Sequence, residues 1–403
     1  MASVRIHIEN FRNLRKVDLR LEEGISVLIG PNGAGKSSLL HALQIMHDTL
    51  VIGPASAIER AGGPGLIKSI QAAERDRVFF EVEIDDARWN MRPTFASGGL
   101  VLPVAEQCLV KGKVVIEQKA STDGIEFLGQ HYKRNDATNG RSAVRHAFEL
   151  QSAIEAAGRK FPGLSLGRIV RFHRYYDPDL FKLRTFGSTS GSETALSSRG
   201  ENLFNVMRNW QAGERVHRLR SDFVREALRD AFPDIFDDLD FQIAGQTVTA
   251  RFYMPKISNP LPIHVAPNGL LIGMLHLAGL ASIDSPPALV AIDEFENSLH
   301  PHAIRSLVAS VGRFAAERHH TVLLASHSPV LLNCFKDTPS RVFVVEPGHS
   351  PIRLDEQNDP DWLAQFSLGD LYSNEDIGAP VPLPAPPKRK TAIGRRASKP
   401  RKS

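Results

Sequence analysis

A glycine-rich octapeptide near the N-terminus narrows the fold of this chain more than any other segment. It reads Gly30-Pro31-Asn32-Gly33-Ala34-Gly35-Lys36-Ser37 and fits the pattern G-x-x-x-x-G-K-[ST]. The apolar run at 25–29 before it suits a buried strand, and residues 37–48 after it space leucines and a methionine at helical intervals. A glycine-rich loop between a strand and a helix predicts an α/β fold with a phosphate site at that loop.

Each residue type in the octapeptide has a task in binding phosphate. Glycines let backbone N–H groups turn inward toward the anion, and the helix that follows adds the positive end of its dipole. Lys36 is predicted to reach the β- and γ-phosphates, and the Ser37 hydroxyl is predicted to ligate magnesium. The sequence therefore predicts a nucleotide site at residues 30–38, ending at Ser38, with magnesium as its metal ion.

Two further motifs follow the apolar runs at 288–292 and 321–325. Asp293 and Glu294 come directly after the first run, and His327 follows the second run within a Ser-His-Ser-Pro sequence. In open α/β sheets, ligands bind beyond the carboxyl ends of the strands. We expect Asp293 to hold the magnesium through water, Glu294 to polarise the attacking water as a general base, and His327 to hydrogen-bond the γ-phosphate.

From residue 270 onward, predicted helices alternate with buried strands, which is typical of a parallel sheet covered on both faces. The helices are predicted at 270–280 and 302–318, and the strands at 288–292, 321–325 and 341–345. The section from 51 to 262 is more heterogeneous. It predicts strands at 78–84, 240–243 and 247–253, a hairpin around Lys111-Gly112-Lys113, and amphipathic helices at 142–160 and 216–232. No internal repeat and no sustained heptad run appears in this section.

The composition excludes several classes of protein. With 42% hydrophobic residues among 403, the chain can bury a large core, and it contains no run of 18 uncharged apolar residues that would predict a membrane span. Its two cysteines, Cys108 and Cys334, are too few for a disulfide framework or a cysteine metal site. We therefore expect a protein of a reducing compartment, the cytoplasm, with no membrane partner.

The basic character of the chain is concentrated at its C-terminal end. Residues 388–403 carry eight basic residues and no acid, so subtracting these eight charges from the net +4 leaves residues 1–387 at −4. Five prolines within 379–387 predict an extended linker before this tail. Two interpretations stay open: the tail binds nucleic acid or an acidic partner through counterion release, or it is a solvated segment without a specific role.

Four segments together carry a family resemblance. They are Ile8-Glu9-Asn10-Phe11-Arg12, the loop at 30–38, Asp293-Glu294-Phe295-Glu296-Asn297-Ser298-Leu299-His300-Pro301, and Ser326-His327-Ser328-Pro329. They resemble the ABC-type ATPases of the SMC/RecF/OLD group, and most closely the stand-alone OLD-like AAA family ATPases. Shorter stretches resemble the same subgroup, namely Tyr176-Asp177-Pro178, Leu183-Arg184, Gly200-Glu201-Asn202-Leu203 and Leu368-Gly369-Asp370-Leu371-Tyr372. Lys36 and Asp293 lie 257 residues apart, and a large insertion between the two halves of one ATPase is a feature of this group.

The resemblance implies a dimer in which two nucleotides lie between head-to-tail protomers, or a higher homo-oligomer. In such ATPases a signature segment, usually Ser-x-Gly at a helix start, contacts the γ-phosphate held by the other protomer. The best match here is Ala266-Pro267-Asn268-Gly269, in which Pro267 replaces the serine and supplies neither a hydroxyl nor an N–H group. Asn268, Gly269 and the helix N-terminus are expected to receive a phosphate instead. Gln71 is the candidate for the glutamine of a Q-loop.

The motifs and the resemblance together predict an α/β P-loop NTPase with an ABC-type (SMC/RecF/OLD-like) head and an inserted α+β lid. The expected domains are the N-terminal half of the ATPase at 1–60, the inserted region at 61–262, whose last part rejoins the ATPase, the C-terminal half at 263–378, and the linker and tail at 379–403. Only 76 residues follow His327 and they show no Toprim constellation, so we expect no nuclease of the OLD type.

The predicted function is ATP binding and magnesium-dependent hydrolysis that drives dimerisation or a conformational switch. The resemblance implies a role in a prokaryotic anti-phage defence system, in which a separate effector protein does the damage. Two alternatives stay open. One is a nucleotide-gated scaffold with little hydrolysis, which Pro267 favours, and the other is a RecF-like DNA-repair loader.

Overall fold

The computed structural model describes residues 3–69, 76–96, 99–120, 122, 124–134, 140–156, 158, 160–170, 174–176, 180–197, 199–283 and 287–378. The first elements are three strands and two helices, and they include the strand and helix predicted around the glycine-rich loop. They are β1 (Ser3–Phe11), β2 (Leu14–Glu22), β3 (Gly24–Ile29), α1 (Lys36–Ile52) and α2 (Pro54–Arg60). Alternate residues of β1 are buried, so the apolar face of the β1–β2 hairpin lies against the core.

Residues 79–133 extend this hairpin into an eight-stranded antiparallel sheet. The new strands are β4 (Phe79–Ile84), β5 (Ala87–Arg92), β6 (Phe95–Ala96), β7 (Gly99–Leu100), β8 (Ala105–Val110), β9 (Lys113–Gln118), β10 (Gly124–Phe127) and β11 (Gln130–Lys133). The order across the sheet is β11-β10-β9-β8-β5-β4-β1-β2, and β6 and β7 form a separate two-stranded ladder. The predicted hairpin is confirmed, because Lys111 and Gly112 connect β8 to β9 with the two positive φ angles of a type I′ turn.

The chain then forms mostly helices with two short strands. These elements are α3 (Ala143–Glu149), α4 (Gln151–Ala156), α5 (Gly163–Val170), β12 (Arg174–Tyr176), α6 (Leu180–Phe186), β13 (Ser188–Thr189), α7 (Leu203–Ala212) and α8 (Arg215–Ala231). The prediction of one helix at 142–160 is wrong, because α3 and α4 are separated at Leu150, where ψ is −1° instead of a helical value. Val144, Ala147 and Ile154 keep helical spacing and are all buried, so the periodicity could not reveal the break.

The remaining elements include the strands and helices predicted from residue 270 onward. They are β14 (Asp238–Ala244), β15 (Thr247–Tyr253), β16 (Leu261–Pro262), α9 (Asn268–Ala281), β17 (Leu289–Asp293), α10 (Pro301–Arg318), β18 (Thr321–Ala325), α11 (Pro329–Asn333), β19 (Val342–Val344), β20 (Ile352–Arg353), α12 (Leu354–Gln357), α13 (Pro360–Leu363) and α14 (Leu368–Ser373). β13, β14 and β16 all pair with β15 in a small antiparallel sheet. Among the described residues, no helix has the length and apolar character needed to cross a membrane. The domain boundaries stay predictions.

A six-stranded sheet carries the glycine-rich loop and both later motifs at one edge. Its order is β12-β17-β18-β3-β19-β20, and the strands run parallel except for β20. Asp293 on β17 is level with Ala325 on β18, and Ala325 is level with Leu28 on β3. The loops that begin after these three strands therefore leave the sheet side by side, at the edge where α/β sheets bind ligands.

Two hydrophobic clusters cover the two faces of the six-stranded sheet. Val27 and Ile29 belong to the cluster that contains the apolar residues of α7–α10, whereas Leu28 belongs to the cluster shared with α1 and the eight-stranded sheet. Burial on both faces explains why β3 is almost entirely apolar, with the buried Ser26 as its one polar side chain. Each fully buried Val, Ile or Leu side chain contributes roughly 1.5–3 kcal/mol, so the end of β3 is a rigid support for the loop that follows.

Candidate functional site

The glycine-rich loop makes a close backbone contact with the segment after β19. Gly30 has φ +145°, and a Cβ at this position would lie 2.3 Å from the carbonyl oxygen of Val345. That separation is far below van der Waals contact, so the chain can leave β3 along this path only with glycine. Gly35, at φ +118°, is the N-cap residue of α1, and the N–H groups of the first helical turn therefore face the loop.

Lys36 is buried at the base of the loop, where its ammonium group meets two backbone carbonyls. Nζ donates to the carbonyl oxygen of Gly30 at 2.8 Å and to that of Pro31 at 3.1 Å. Burial lowers the pKa of Lys36 to about 8, against the opposing influence of nearby carboxylates. An ammonium group has three donors, so two hold the loop and the third can bind a phosphate oxygen.

The carboxylates that raise the pKa of Lys36 lie at residues 293–296, at the end of β17 and in the turn after it, which we call the acidic turn. Asp293, the last residue of the strand, is half-buried, whereas Glu294 is exposed. Both raise the pKa of Lys36, and so does Glu296. Glu294 has φ +47°, and a left-handed backbone costs a residue with a side chain about 1–2 kcal/mol. Backbone strain of this kind concentrates at functional sites, and Glu294 remains our candidate for the general base.

Glu296 joins the acidic turn to the loop of His327, and sequence analysis assigned it no role. Its Oε1 accepts a hydrogen bond of 2.8 Å from the backbone N–H of His327. Its Oε2 is buried and lacks a hydrogen-bond partner in the part of the chain that the structure describes. The signal that could have found it is the recurrence of acidic residues at 293, 294 and 296. An unpaired carboxylate oxygen at this depth favours a donor or a cation beside it.

His327 follows β18 and is an exposed residue whose ring is partly desolvated. Its Nδ1 lies 3.2 Å from the hydroxyl of Tyr372, a contact that the sequence did not suggest. Partial burial and the charge of Lys36 lower the pKa of His327, against the influence of the three carboxylates. The loop itself is held by Glu296 and by Ser326, whose hydroxyl accepts the N–H of Ser328 at 2.9 Å.

The structure brings four of the predicted site residues into one electrostatic environment, namely Lys36, Asp293, Glu294 and His327. Ser37 and Ser38 occupy the first turn of α1 beside Lys36, and Ser37 is exposed. Three motifs that are far apart in the sequence thus meet at one edge of the sheet. The roles assigned to their residues stay predictions.

His276 lies behind the acidic turn, and sequence analysis missed it. It is buried in α9, its Nε2–H donates to the carbonyl oxygen of Phe295 at 3.2 Å, and the two rings stack with centroids 4.8 Å apart. Phe295 separates Glu294 from Glu296, so His276 holds the backbone between the two carboxylates. Nearly every residue of α9 is buried, and a helix that is apolar on all sides gives no signal for such a histidine.

We expect the folded state to lose stability as the pH falls below about 6.5, in part because of His276. Burial lowers the pKa of His276 from 6.5 to about 4, so between these values the unfolded chain binds a proton that the folded chain does not. The free energy of unfolding therefore decreases toward acid pH, by at most about 3 kcal/mol for this residue. Urea denaturation between about pH 7.5 and 4.5 measures the decrease. His276→Phe keeps the stacking and should reduce the slope of the free energy of unfolding against pH. Equal slopes in the two proteins would contradict this account.

The signature-like segment forms the start of α9. Pro267 is the N-cap residue, and both Pro267 and Asn268 are exposed. Gly269 is buried, and a Cβ there would lie 2.6 Å from the carbonyl oxygen of Ser298. The segment therefore packs against the backbone after the acidic turn and leaves Asn268 on the surface. The residues of the sequence analysis that lie outside the described ranges are Gln71, Asp177, Pro178 and the tail at 379–403.

Ser37 and Asp293 carry oxygen donors of the kind that would suit a magnesium ion arriving with a nucleotide. Ser37 supplies a hydroxyl and Asp293 a carboxylate, and Mg²⁺ is usually bound by one or two such groups together with substrate phosphates and water. Within the ranges that the structure describes, no group of three or more His, Cys, Asp or Glu side chains is arranged to hold a metal ion.

Comparison with known proteins agrees with this geometry. The family model described as "AAA domain, putative AbiEii toxin, Type IV TA system" matches residues 25–333. The DNA replication and repair protein RecF of Mannheimia succiniciproducens is 54% identical over 43 residues, which are 11% of this chain and 12% of that protein. RecF of Yersinia enterocolitica is 34% identical over 97 residues, which are 19% of this chain and 27% of that protein. The chain thus spans well under half the length of these curated relatives.

A solved structure of an Smc head also aligns with most of the chain. It is the Pyrococcus furiosus Smc head domain with an extended coiled coil bound to the C-terminal domain of ScpA, and it is 10% identical with a TM-score of 0.45, covering 89% of this chain and 98% of that one. Because the TM-score is below 0.5, the assignment of the fold rests on the strand order described above and not on this alignment. That strand order and the family match confirm the predicted α/β P-loop NTPase with an ABC-type ATPase head.

Proposed function

This chain belongs to the family described as AAA domain, putative AbiEii toxin, Type IV TA system, and we propose that it hydrolyses ATP with magnesium to drive dimerisation or a conformational switch. The family match and the local RecF similarity support an ATPase of the SMC/RecF type. One observation carries the finer proposal. Lys36, Asp293, Glu294 and His327 come from three separate motifs and share one electrostatic environment beside the glycine-rich loop.

The surroundings of each site residue suit it to one step in binding or hydrolysing ATP. Lys36 holds the loop with two of its protons and directs the third at the β- and γ-phosphates. Ser37 and Asp293 would hold the magnesium, which neutralises charge on the phosphates. Glu294 orients the attacking water and takes its proton, and His327 donates a hydrogen bond to the γ-phosphate.

The cellular role that we propose is the ATPase or sensor component of a prokaryotic anti-phage defence system, with a separate effector protein. The description of the matching family names a toxin of a Type IV TA system, which supports a place in a system of several components. The exposed Pro267 and Asn268 at the start of α9 support a dimer in which this segment meets the nucleotide of a second protomer.

A DNA-repair loader like RecF is the second candidate function, and the local similarity to RecF favours it. The basic tail at 388–403 would add an attraction to DNA phosphates that weakens steeply with salt. A scaffold that binds ATP with little hydrolysis is a further alternative, which Pro267 favours because it removes the hydroxyl and the N–H group expected at that position.

Removal of magnesium tests the central proposal. We expect steady-state ATP turnover in magnesium and about 100-fold less turnover after chelation with EDTA. Without the metal, Lys36 alone would neutralise the negative charge of the phosphates. Turnover that survives chelation would contradict the role of magnesium. ATP binding in magnesium without any turnover would favour the scaffold.

The same assay with gapped DNA separates the two candidate functions. Turnover that DNA stimulates at low salt, and less so as salt increases, would favour the repair loader. The matched control is a chain that ends at residue 378, because it lacks the linker and the eight basic residues of 388–403. Turnover that ignores DNA in both chains would favour the defence ATPase.

A further inference from the structure

Tyr372 connects the glycine-rich loop to His327. Its hydroxyl donates to the carbonyl oxygen of Gly30 at 3.4 Å and lies 3.2 Å from Nδ1 of His327. The residue is half-buried near the end of α14, more than forty positions beyond the histidine. A single phenol group is thus in hydrogen-bond contact with the two loops that would surround the γ-phosphate of a bound nucleotide.

The packing of α14 places this hydroxyl with little freedom. Asn333 at the end of α11 accepts hydrogen bonds at its Oδ1 from the Gly369 N–H at 2.7 Å and from the Ser367 hydroxyl at 2.8 Å. A Cβ on Gly369 would lie 2.4 Å from the carbonyl oxygen of Pro329, so only glycine permits this approach. Because Pro329 stands two residues after His327, α14 is docked directly on the loop that carries the histidine.

The proton of the phenol decides which nitrogen of His327 can act as a donor. When Tyr372 donates to the Gly30 carbonyl, Nδ1 of a neutral His327 must carry the ring proton and donate to the phenol oxygen, which leaves Nε2 as an acceptor. When the phenol instead donates to Nδ1, the ring proton sits on Nε2, which can then donate to a phosphate oxygen.

Changing between these two arrangements leaves the Gly30 carbonyl satisfied. Lys36 Nζ donates to the same oxygen at 2.8 Å, which is the shorter of the two contacts. The hydroxyl proton of Tyr372 can therefore rotate from the Gly30 carbonyl toward Nδ1 of His327, and the buried carbonyl still keeps the hydrogen bond from Lys36. A γ-phosphate, which only accepts hydrogen bonds, favours the arrangement with the proton on Nε2.

We propose that Tyr372 is a positioning residue that sets the tautomer of His327, so that the histidine donates to a γ-phosphate and the site prefers ATP over ADP. This inference rests on the proposed function, in which His327 contacts the γ-phosphate. Tyr372→Phe removes only the hydroxyl. We expect it to reduce the ATP-over-ADP affinity ratio and kcat by about 3- to 10-fold each, the value of one hydrogen bond, with ADP affinity unchanged.

The experiment compares full-length wild type with Tyr372→Phe, His327→Ala and the double variant. ATP and ADP affinities come from displacement of a fluorescent nucleotide, and kcat comes from steady-state turnover. If Tyr372 acts through His327, the double variant should have the same affinity ratio as His327→Ala alone. Tyr253→Phe is the matched control, because it also removes one phenol hydroxyl, which donates to Asp240 at 3.0 Å on β14.

The outcomes separate this inference from the proposed function. A ratio that stays at the wild-type value in Tyr372→Phe, or effects that add fully in the double variant, would overturn the role of Tyr372. A wild type without any preference for ATP would overturn it as well. If wild type prefers ATP, loses that preference in Tyr372→Phe and shows no turnover, the inference stands while the proposed hydrolysis fails.

Discussion

Replacing Glu294 with glutamine is expected to lower steady-state ATP turnover by about 10²- to 10⁴-fold while ATP binding is retained. Glutamine has nearly the shape of glutamate but cannot take a proton from the attacking water. The side chain is exposed in the turn after β17, so the change leaves the packed core intact. Turnover and ATP affinity, measured on the same preparation, separate a lost base from a lost binding site.

Glu296→Gln is the matched comparison, because Glu296 lies in the same turn and also acts on Lys36. The amide oxygen of glutamine can still accept the His327 N–H, which now donates to Glu296 at 2.8 Å. We therefore expect a loss of turnover of about tenfold or less. If Glu296→Gln abolishes turnover and Glu294→Gln does not, the general base is Glu296 and our assignment is wrong.

The oligomeric state of Glu294→Gln in ATP distinguishes an enzyme from a scaffold. If hydrolysis normally ends the nucleotide-bound dimer, the variant should accumulate dimers in ATP and wild type should not. Light scattering after size-exclusion chromatography gives the mass of both proteins. Wild type that forms equally stable dimers in ATP without turnover would support the nucleotide-gated scaffold and the importance of Pro267.

Replacing Lys36 with methionine is expected to weaken ATP binding by about 10²-fold or more, because the charge-assisted hydrogen bonds to the phosphates are lost. The thermal midpoint should change little. Burial lowers the pKa of Lys36 to about 8, so the folded chain bears a cost for this charge that methionine removes. Against this gain, the Gly30 and Pro31 carbonyls lose their donor. Differential scanning fluorimetry with and without ATP gives both results.

Lys336→Met is the control for this prediction, because Lys336 is an exposed lysine just after α11. It should match wild type in ATP affinity and in the thermal midpoint. Unchanged ATP affinity in Lys36→Met would remove the glycine-rich loop from the proposed nucleotide site. A large fall in the midpoint of that variant would show that the two loop carbonyls depend on Lys36 for the fold itself.

Local patterns predicted most of the elements that carry the site. The octapeptide with its preceding apolar run located β3 and α1, and apolar runs located β17 and β18. Patterns of this kind work because a strand buried on both faces is a nearly continuous apolar run, and because a glycine at positive φ has few substitutes. They failed at 142–160, where a change of ψ at Leu150 splits the helix without altering its buried face.

The partners of the site residues could not be read from such patterns. Glu296 and His276 each contact a site loop through one hydrogen bond that joins distant segments, and Tyr372 contacts two site loops. A buried histidine in an apolar helix looks like an ordinary packing residue, and the family resemblance of the segment around Tyr372 assigned that tyrosine no role. Their roles depend on where α9 and α14 dock.

By itself, the sequence determined that the chain has a glycine-rich phosphate loop and a parallel sheet. It also determined that two carboxylates follow one strand of that sheet and that a histidine follows another. Spacing and alternation along a few residues encode these features, so they can be recognised without the fold. Only the tertiary structure decided that Glu296 holds the His327 loop and that Tyr372 contacts both Gly30 and His327. Such contacts depend on close approaches between distant segments, like that of Gly369 to Pro329, and no local period specifies them.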